Sequence, residues 1–214
     1  MTIQQTHEGF LHEQAIFAPA GWDRRLAHWL SQAGSPPVTA LLGVFAAGYT
    51  LNRPGDWAWT TTYGLLAVLV PALYVVWLYQ RGLVADLHLR RRGERTKPLL
   101  VTLALAVLVW AGLYGGAGPT LLLALATAHV VQTLLFFGIT LYWKISAHAA
   151  AAGGLAVLSW ALFGPAALPA ALPAALSVPL IAWARVRLGD HTPAQTAAGA
   201  LLGSLILTAA LALN

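Results

Sequence analysis

The chain contains no cysteine, one methionine and few charges: only 9% of its 214 residues are Asp, Glu, Lys or Arg. Without cysteine, disulfides and thiolate metal sites are excluded, and the redox compartment is left open. A soluble domain carries about 25% charged residues, so the shortage of charge, with 58% hydrophobic residues and a mean hydropathy of +0.69, excludes an ordinary soluble globule. What remains is an all-α, polytopic integral membrane helix bundle. Each crossing needs roughly 20 apolar residues, so the length admits six to seven transmembrane helices. The net charge of +5 does not imply nucleic acid, because the basic residues sit beside apolar runs, where orientation in a membrane explains them. Residues 1–21 carry Glu8 and Glu13 and lack a basic start followed by an apolar core, so no cleavable signal is expected there.

Residues 1–35 form the polar end. Within them Trp22, Leu26, Trp29 and Leu30 share one helical face while Arg24, Arg25 and His28 lie largely off it, which predicts an amphipathic helix on the membrane surface. Residues 36–214 form the transmembrane helical domain. Its apolar stretches run about 37–52, 57–79, 99–117, 119–142, 149–164, 166–183 and 194–213, the fifth and sixth separated only by Gly164-Pro165. Pro169, Pro173 and Pro179 predict tilting or kinking in the sixth. Seven crossings place Arg24, Arg25, Arg81, Arg90, Arg91, Arg92, Arg95, Lys97, Lys144, Arg185 and Arg187 on the side of the N-terminus, 11 of the 12 basic residues, leaving Arg53 opposite. That asymmetry predicts a cell (inner) membrane protein with the N-terminus in the cytoplasm. Gly112-x3-Gly116 and Gly199-x3-Gly203 read as close helix-packing points.

Polar residues collect where apolar runs stop. One cluster is Lys144-Ile145-Ser146-Ala147-His148, and another is Arg185-Val186-Arg187-Leu188-Gly189-Asp190-His191. Ionisable groups in such places are the first candidates for chemistry. Arg binds phosphate oxygens through a planar fork of donors, Lys adds a point charge and Ser a neutral donor. One imidazole can attack phosphorus while a second protonates the leaving oxygen. The alternative for the arginines is charge bias alone, and for Ser146 and His148 capping at a helix start. His88 and Asp86 are two metal-type donors, too few for a site. His7, His12, His28 and His129 read as structural.

On these residues the chain resembles the type-2 phosphatidic acid phosphatase superfamily, whose motifs are K-x6-R-P, P-S-G-H and S-R-x5-H-x3-D. The third is matched best, by Ala184-Arg185, His191 and then Gln195, followed by the small pair Ala198-Gly199. The second survives as Ile145-Ser146-Ala147-His148, and the first with its charges exchanged, as Arg90 and then Lys97-Pro98. The similarity covers roughly residues 80–205. It implies His191 as nucleophile and His148 as general acid, with Arg185, Ser146, Lys97, Arg90 and Lys144 binding the phosphate; Arg91, Arg92 and Arg95 compete for the first-motif role. Gln195 stands where most members have an orienting Asp. An amide can still accept the imidazole N–H, and glucose-6-phosphatase looks similar here.

The resemblance thus implies a phosphohydrolase working at the cytoplasmic face through a phosphohistidine, with no metal and no cofactor. Its expected partner is an amphiphilic phosphate-bearing lipid such as phosphatidic acid, phosphatidylglycerol phosphate or a prenyl (di)phosphate; soluble sugar phosphates stay open. Loss of the second motif's proline and glycine keeps an alternative in view, a non-hydrolytic lipid-phosphate binding, transport or assembly protein with the same basic pocket. A membrane prenyltransferase is disfavoured, since seven acidic residues without a clustered pair cannot form magnesium-binding Asp-rich repeats.

Overall fold

Each apolar stretch forms a helix. The computed structural model describes residues 21–164 and 168–213, except the side chains of Arg92 and Ala170, and every regular element among them is helical. We number the helices α1 (Trp22–Ala33), α2 (Pro36–Thr50), α3 (Asp56–Gln80), α4 (Thr96–Gly115), α5 (Thr120–Thr140), α6 (Ala147–Phe163), α7 (Leu168–Arg187) and α8 (Pro193–Leu213). Four helical segments among the described residues, Asp56–Gln80, Gly93–Gly115, Thr120–Thr140 and Pro193–Leu213, are long and apolar enough to cross a membrane. The apolar α6 is shorter, at 17 residues, a length of about 25 Å at 1.5 Å per residue. Most of the polar segment at 1–35 precedes the described residues; its helix is α1.

Small residues decide which faces meet. On α1, Ala27 and Ser31 lie four apart, one above the other, and are fully buried against α7, whereas Trp22 is 79% and Trp29 72% exposed. An ion pair of 2.7 Å between Asp23 and Arg187 ties α1 to the end of α7. Helix α6 is the hub of the bundle and packs against α2, α7 and α8. Its Ala149, Ala150 and Ala152 are wholly buried. A Cβ at Gly203 would strike the carbonyl of Ala150, one at Gly199 that of Ser146, and one at Gly153 that of Ala200. The α6 and α8 backbones therefore touch, and the Gly199-x3-Gly203 spacing serves packing within the chain.

Two helices carry prolines inside. In α3, residues Gly64–Leu69 form a π-helical turn in which Val70 N–H bonds to the Leu65 carbonyl. The following Pro71 has no N–H to give and its ring crowds the carbonyl four residues back, which favours the widened turn. Pro173 and Pro179 lie within α7, and the helix still runs unbroken to Arg187.

Candidate functional site

The link between α7 and α8 is built from two capping motifs in succession. Gly189, at φ +74°, turns the chain out of α7. Its N–H bonds to the Val186 carbonyl at 2.9 Å, and the Asp190 N–H bonds to the Arg185 carbonyl at 3.0 Å, a paired C-terminal cap that needs a residue tolerant of positive φ. Thr192 then caps α8. Its Oγ1 accepts the Gln195 N–H at 3.3 Å while Gln195 Oε1 accepts the Thr192 N–H at 3.1 Å, a reciprocal box, with Pro193 at the first helical position.

Between the two caps stands His191, and the same Gln195 Oε1 lies 3.2 Å from its Nδ1. Because that oxygen accepts from Thr192, Nδ1 carries the proton and Nε2 keeps its lone pair. Burial, then the charges of Arg185, Lys144 and Arg95, push the His191 imidazole down to about 4 against a smaller upward pull from Gln195. The ring is therefore a neutral base with a fixed orientation at physiological pH.

His191 lines a cavity of about 440 Å³. Its polar end is formed by His191, His148, His88, Arg185 and Arg95. Its apolar wall includes Ala40 of α2, Val68 in the widened turn of α3 and Pro71 just beyond it, Leu99 of α4 and Phe136 of α5. His129 of α5 also lines it, with its ring stacked on that of Tyr63 at 6.2 Å. A second cavity of about 170 Å³ shares Pro36, Ala40, Val68 and His129 with the first and continues along α6.

Behind the polar end one buried carboxylate gathers the cations. Asp190 pairs with Arg185 at 3.0 Å and with Arg90 at 2.7 Å, and its backbone carbonyl accepts from Lys144 Nζ at 2.7 Å. Arg185, only 1% exposed, also donates through Nη1 to Ser31 Oγ at 2.7 Å. Arg95 donates to the carbonyls of Leu89 (2.9 Å) and Ile145 (3.4 Å). Lys144 is held below its ordinary lysine value, first by burial and then by Arg95.

Of the residues singled out in the sequence, His191, His148 and Arg185 line the cavity, and Gln195 stands directly behind His191. The others differ. Ser146 is fully buried and does not line the cavity; its Oγ accepts the Ala149 N–H at 3.4 Å and caps α6, while its own N–H bonds to the Gln195 carbonyl at 3.3 Å. Arg90 and Lys144 stand one layer back, bound to Asp190. Lys97 is exposed and off the cavity, and Arg95 supplies the cation from this segment. Arg95 ends a 3-10 turn (Arg92–Arg95) that leads into α4 and is buried, whereas Lys97, two residues on in the first turn of α4, is exposed. Ser31, His88 and Thr140 join the site without having been singled out for it: Ser31 contacts Arg185, and the other two line the cavity. Among the described residues no group of three or more metal-type donors converges. Compared with models of known protein families, with curated proteins and with solved structures, the chain matches none of them.

Proposed function

We propose that the chain is an integral membrane phosphohydrolase that takes phosphate from an amphiphilic phosphate ester through a phosphohistidine on His191. The observation that carries this reading is a coincidence of unpartnered groups. Thr140 Oγ1, His148 Nε2 and Arg185 Nε are buried without a hydrogen-bond partner among the described residues, and all three residues line the cavity that His191 faces. Buried polar atoms are rarely left so. A phosphate would accept from Arg185 and Thr140, and its bridging oxygen would meet His148.

In this mechanism His191 Nε2 attacks phosphorus as the bond to the leaving oxygen breaks, and that oxygen takes a proton from His148. Water then attacks the phosphohistidine, gives its proton to His148 and frees the imidazole. Arg185 and Arg95 offset the charge on the transferring phosphoryl oxygens in a site shielded from water. The apolar wall suits a hydrocarbon tail, which favours phosphatidic acid, phosphatidylglycerol phosphate or a prenyl (di)phosphate over a sugar phosphate. In the bilayer, α2 through α8 make seven crossings, α1 lies on the surface, and the site opens at the cytoplasmic face of the inner membrane.

A non-hydrolytic lipid-phosphate binder is the second reading, favoured by the pairing of Arg185 with both Asp190 and Ser31. Phosphate release from a panel of these lipids and glucose 6-phosphate, by protein purified in detergent, separates the two. Release that persists in EDTA and disappears in His191→Ala supports the hydrolase. Binding of the lipids without release from any of them returns the binder.

A further inference from the structure

A third imidazole belongs to this site. His88 comes from the segment between α3 and α4, outside both histidine-bearing turns, and its ring stands edge-on to His148 with centroids 5.6 Å apart. Local structure holds it there. The Asp86 carboxylate accepts the N–H groups of His88 (2.8 Å) and Arg90 (3.3 Å), curling residues 86–90 into a turn. Leu89 follows at φ +49°, a conformation costly for a leucine, and Arg95 fastens its carbonyl at 2.9 Å. Backbone strain of this sort persists where surrounding contacts over-determine it. Here they present His88 to the cavity.

His148 has a transport problem that His88 is placed to solve. His148 is only 6% exposed, its Nε2 has no partner among the described residues, and the charged or protonatable side chains acting on it are Arg185, His88, His191 and Arg95. A phosphate that arrives as a dianion draws a proton onto this ring, and its departure as a dianion expels it, so in that cycle a proton crosses the buried wall in each direction once per turnover. His88 is partly exposed. It is held below its ordinary value, first by burial and then by Arg185, with Asp190 and Asp86 opposing, so at rest it is a neutral ring that can take up a proton and give it away again.

We propose that His88 is the relay through which His148 exchanges its proton with solvent. This deepens the hydrolase reading and rests on it. As the substrate binds, His88 takes a proton from solvent and hands it, through a water between the two rings, to His148; when the product phosphate leaves, the proton returns by the same path. His88 acts through His148 and does not touch the substrate, so it is a positioning and relay residue.

The test uses the full-length protein in detergent at low buffer concentration, with a poor leaving group as substrate. His88→Ala and His88→Gln should each lower kcat by roughly tenfold or more, within the span of general acid–base effects, with KM little changed. Added imidazole should restore kcat in a saturable, pH-dependent way, and the rescue itself shows that the variants are folded. His191→Ala should not be rescued. Full activity of His88→Gln in low buffer, or a loss that imidazole leaves untouched, overturns the relay while the hydrolase stands. A wild-type protein that releases no phosphate from any ester overturns both.

Discussion

Arg185 Nη1 donates to Ser31 Oγ at 2.7 Å, joining the last turn of α7 to the surface helix α1 across 154 positions of sequence. Ser31 and Arg185 are both essentially without solvent contact, so the bond has no water to replace it. A hydrogen bond to a charged group contributes about 1.5–3 kcal/mol when its loss strands a buried donor. Asp190 still holds Arg185 from the other side, which limits the damage to its aim. Ser31→Ala should raise KM about tenfold and leave kcat within about twofold, as expected when ground state and transition state lose the same contact. An unchanged KM in steady-state assays would show that α1 only covers the site.

The proposed topology rests on the distribution of basic residues, and the chain's lack of cysteine makes it directly measurable. A cysteine placed beside Arg91 should resist an impermeant thiol reagent in intact cells, and one beside Arg53 should react. The reverse labelling pattern would move the site to the outer face.

Much of the helix layout was legible because apolar runs of about 20 residues have few other uses. The seven stretches correspond to α2 through α8 within a few residues at each end. The His191 turn was legible for a related reason: its partners lie within six positions, where spacing fixes geometry. Thr192 and Gln195 also carry a capping-box pattern that reads directly from sequence. Less local features were hidden. Nothing in the order of residues tells Arg95 from Lys97, since the choice depends on how the turn before α4 sits against the carbonyls of Leu89 and Ile145. Ser31 gives no signal at all, because its role exists only once α1 folds onto α7.

Contact between the α6 and α8 backbones places the two histidine-bearing turns relative to one another. Gly199 lies against the Ser146 carbonyl and Gly203 against that of Ala150. Because the obstacles are backbone atoms, a side chain cannot be accommodated by a change of rotamer. Gly203→Leu should therefore destabilise by about 1–3 kcal/mol or more, the usual scale for overpacking, and should also lower kcat by shifting α8. Gly138→Ala is the control, since a Cβ there meets nothing within 4 Å. Thermal unfolding in detergent together with phosphate release would check both, and equal behaviour of the two variants would contradict the packing account.

The pH dependence should follow His191. Its imidazole is pushed down to about 4 from an ordinary 6.5, chiefly by burial. A depressed histidine stays neutral in the folded protein where the unfolded chain already binds a proton. Its contribution to stability is thus full above about 6.5 and is lost progressively as pH falls toward 4. For the same reason the nucleophile should remain unprotonated through pH 5, and kcat/KM for p-nitrophenyl phosphate should show no His191 limb near 6.5.

Gln195 aims the ring and adds a small upward pull to where that limb falls. Its Oε1 serves His191 Nδ1 and the Thr192 N–H together, so the length of the side chain matters as much as its polarity. Gln195→Glu keeps the reach and adds a charge that favours imidazolium. The acidic limb of kcat/KM should move upward, with activity near pH 8 retained or raised. Gln195→Asp, one methylene shorter, should reach only one of the two donors and lose part of that gain. Gln195→Leu removes both bonds, frees the ring and uncaps α8; it should cost activity by roughly tenfold or more, the scale seen when an orienting partner is removed. Comparing all variants on one substrate cancels the ionisation of the substrate itself. If Gln195→Leu were fully active and Gln195→Glu left the pH profile in place, the 3.2 Å contact would belong to helix capping alone, and His191 would have no orienting group.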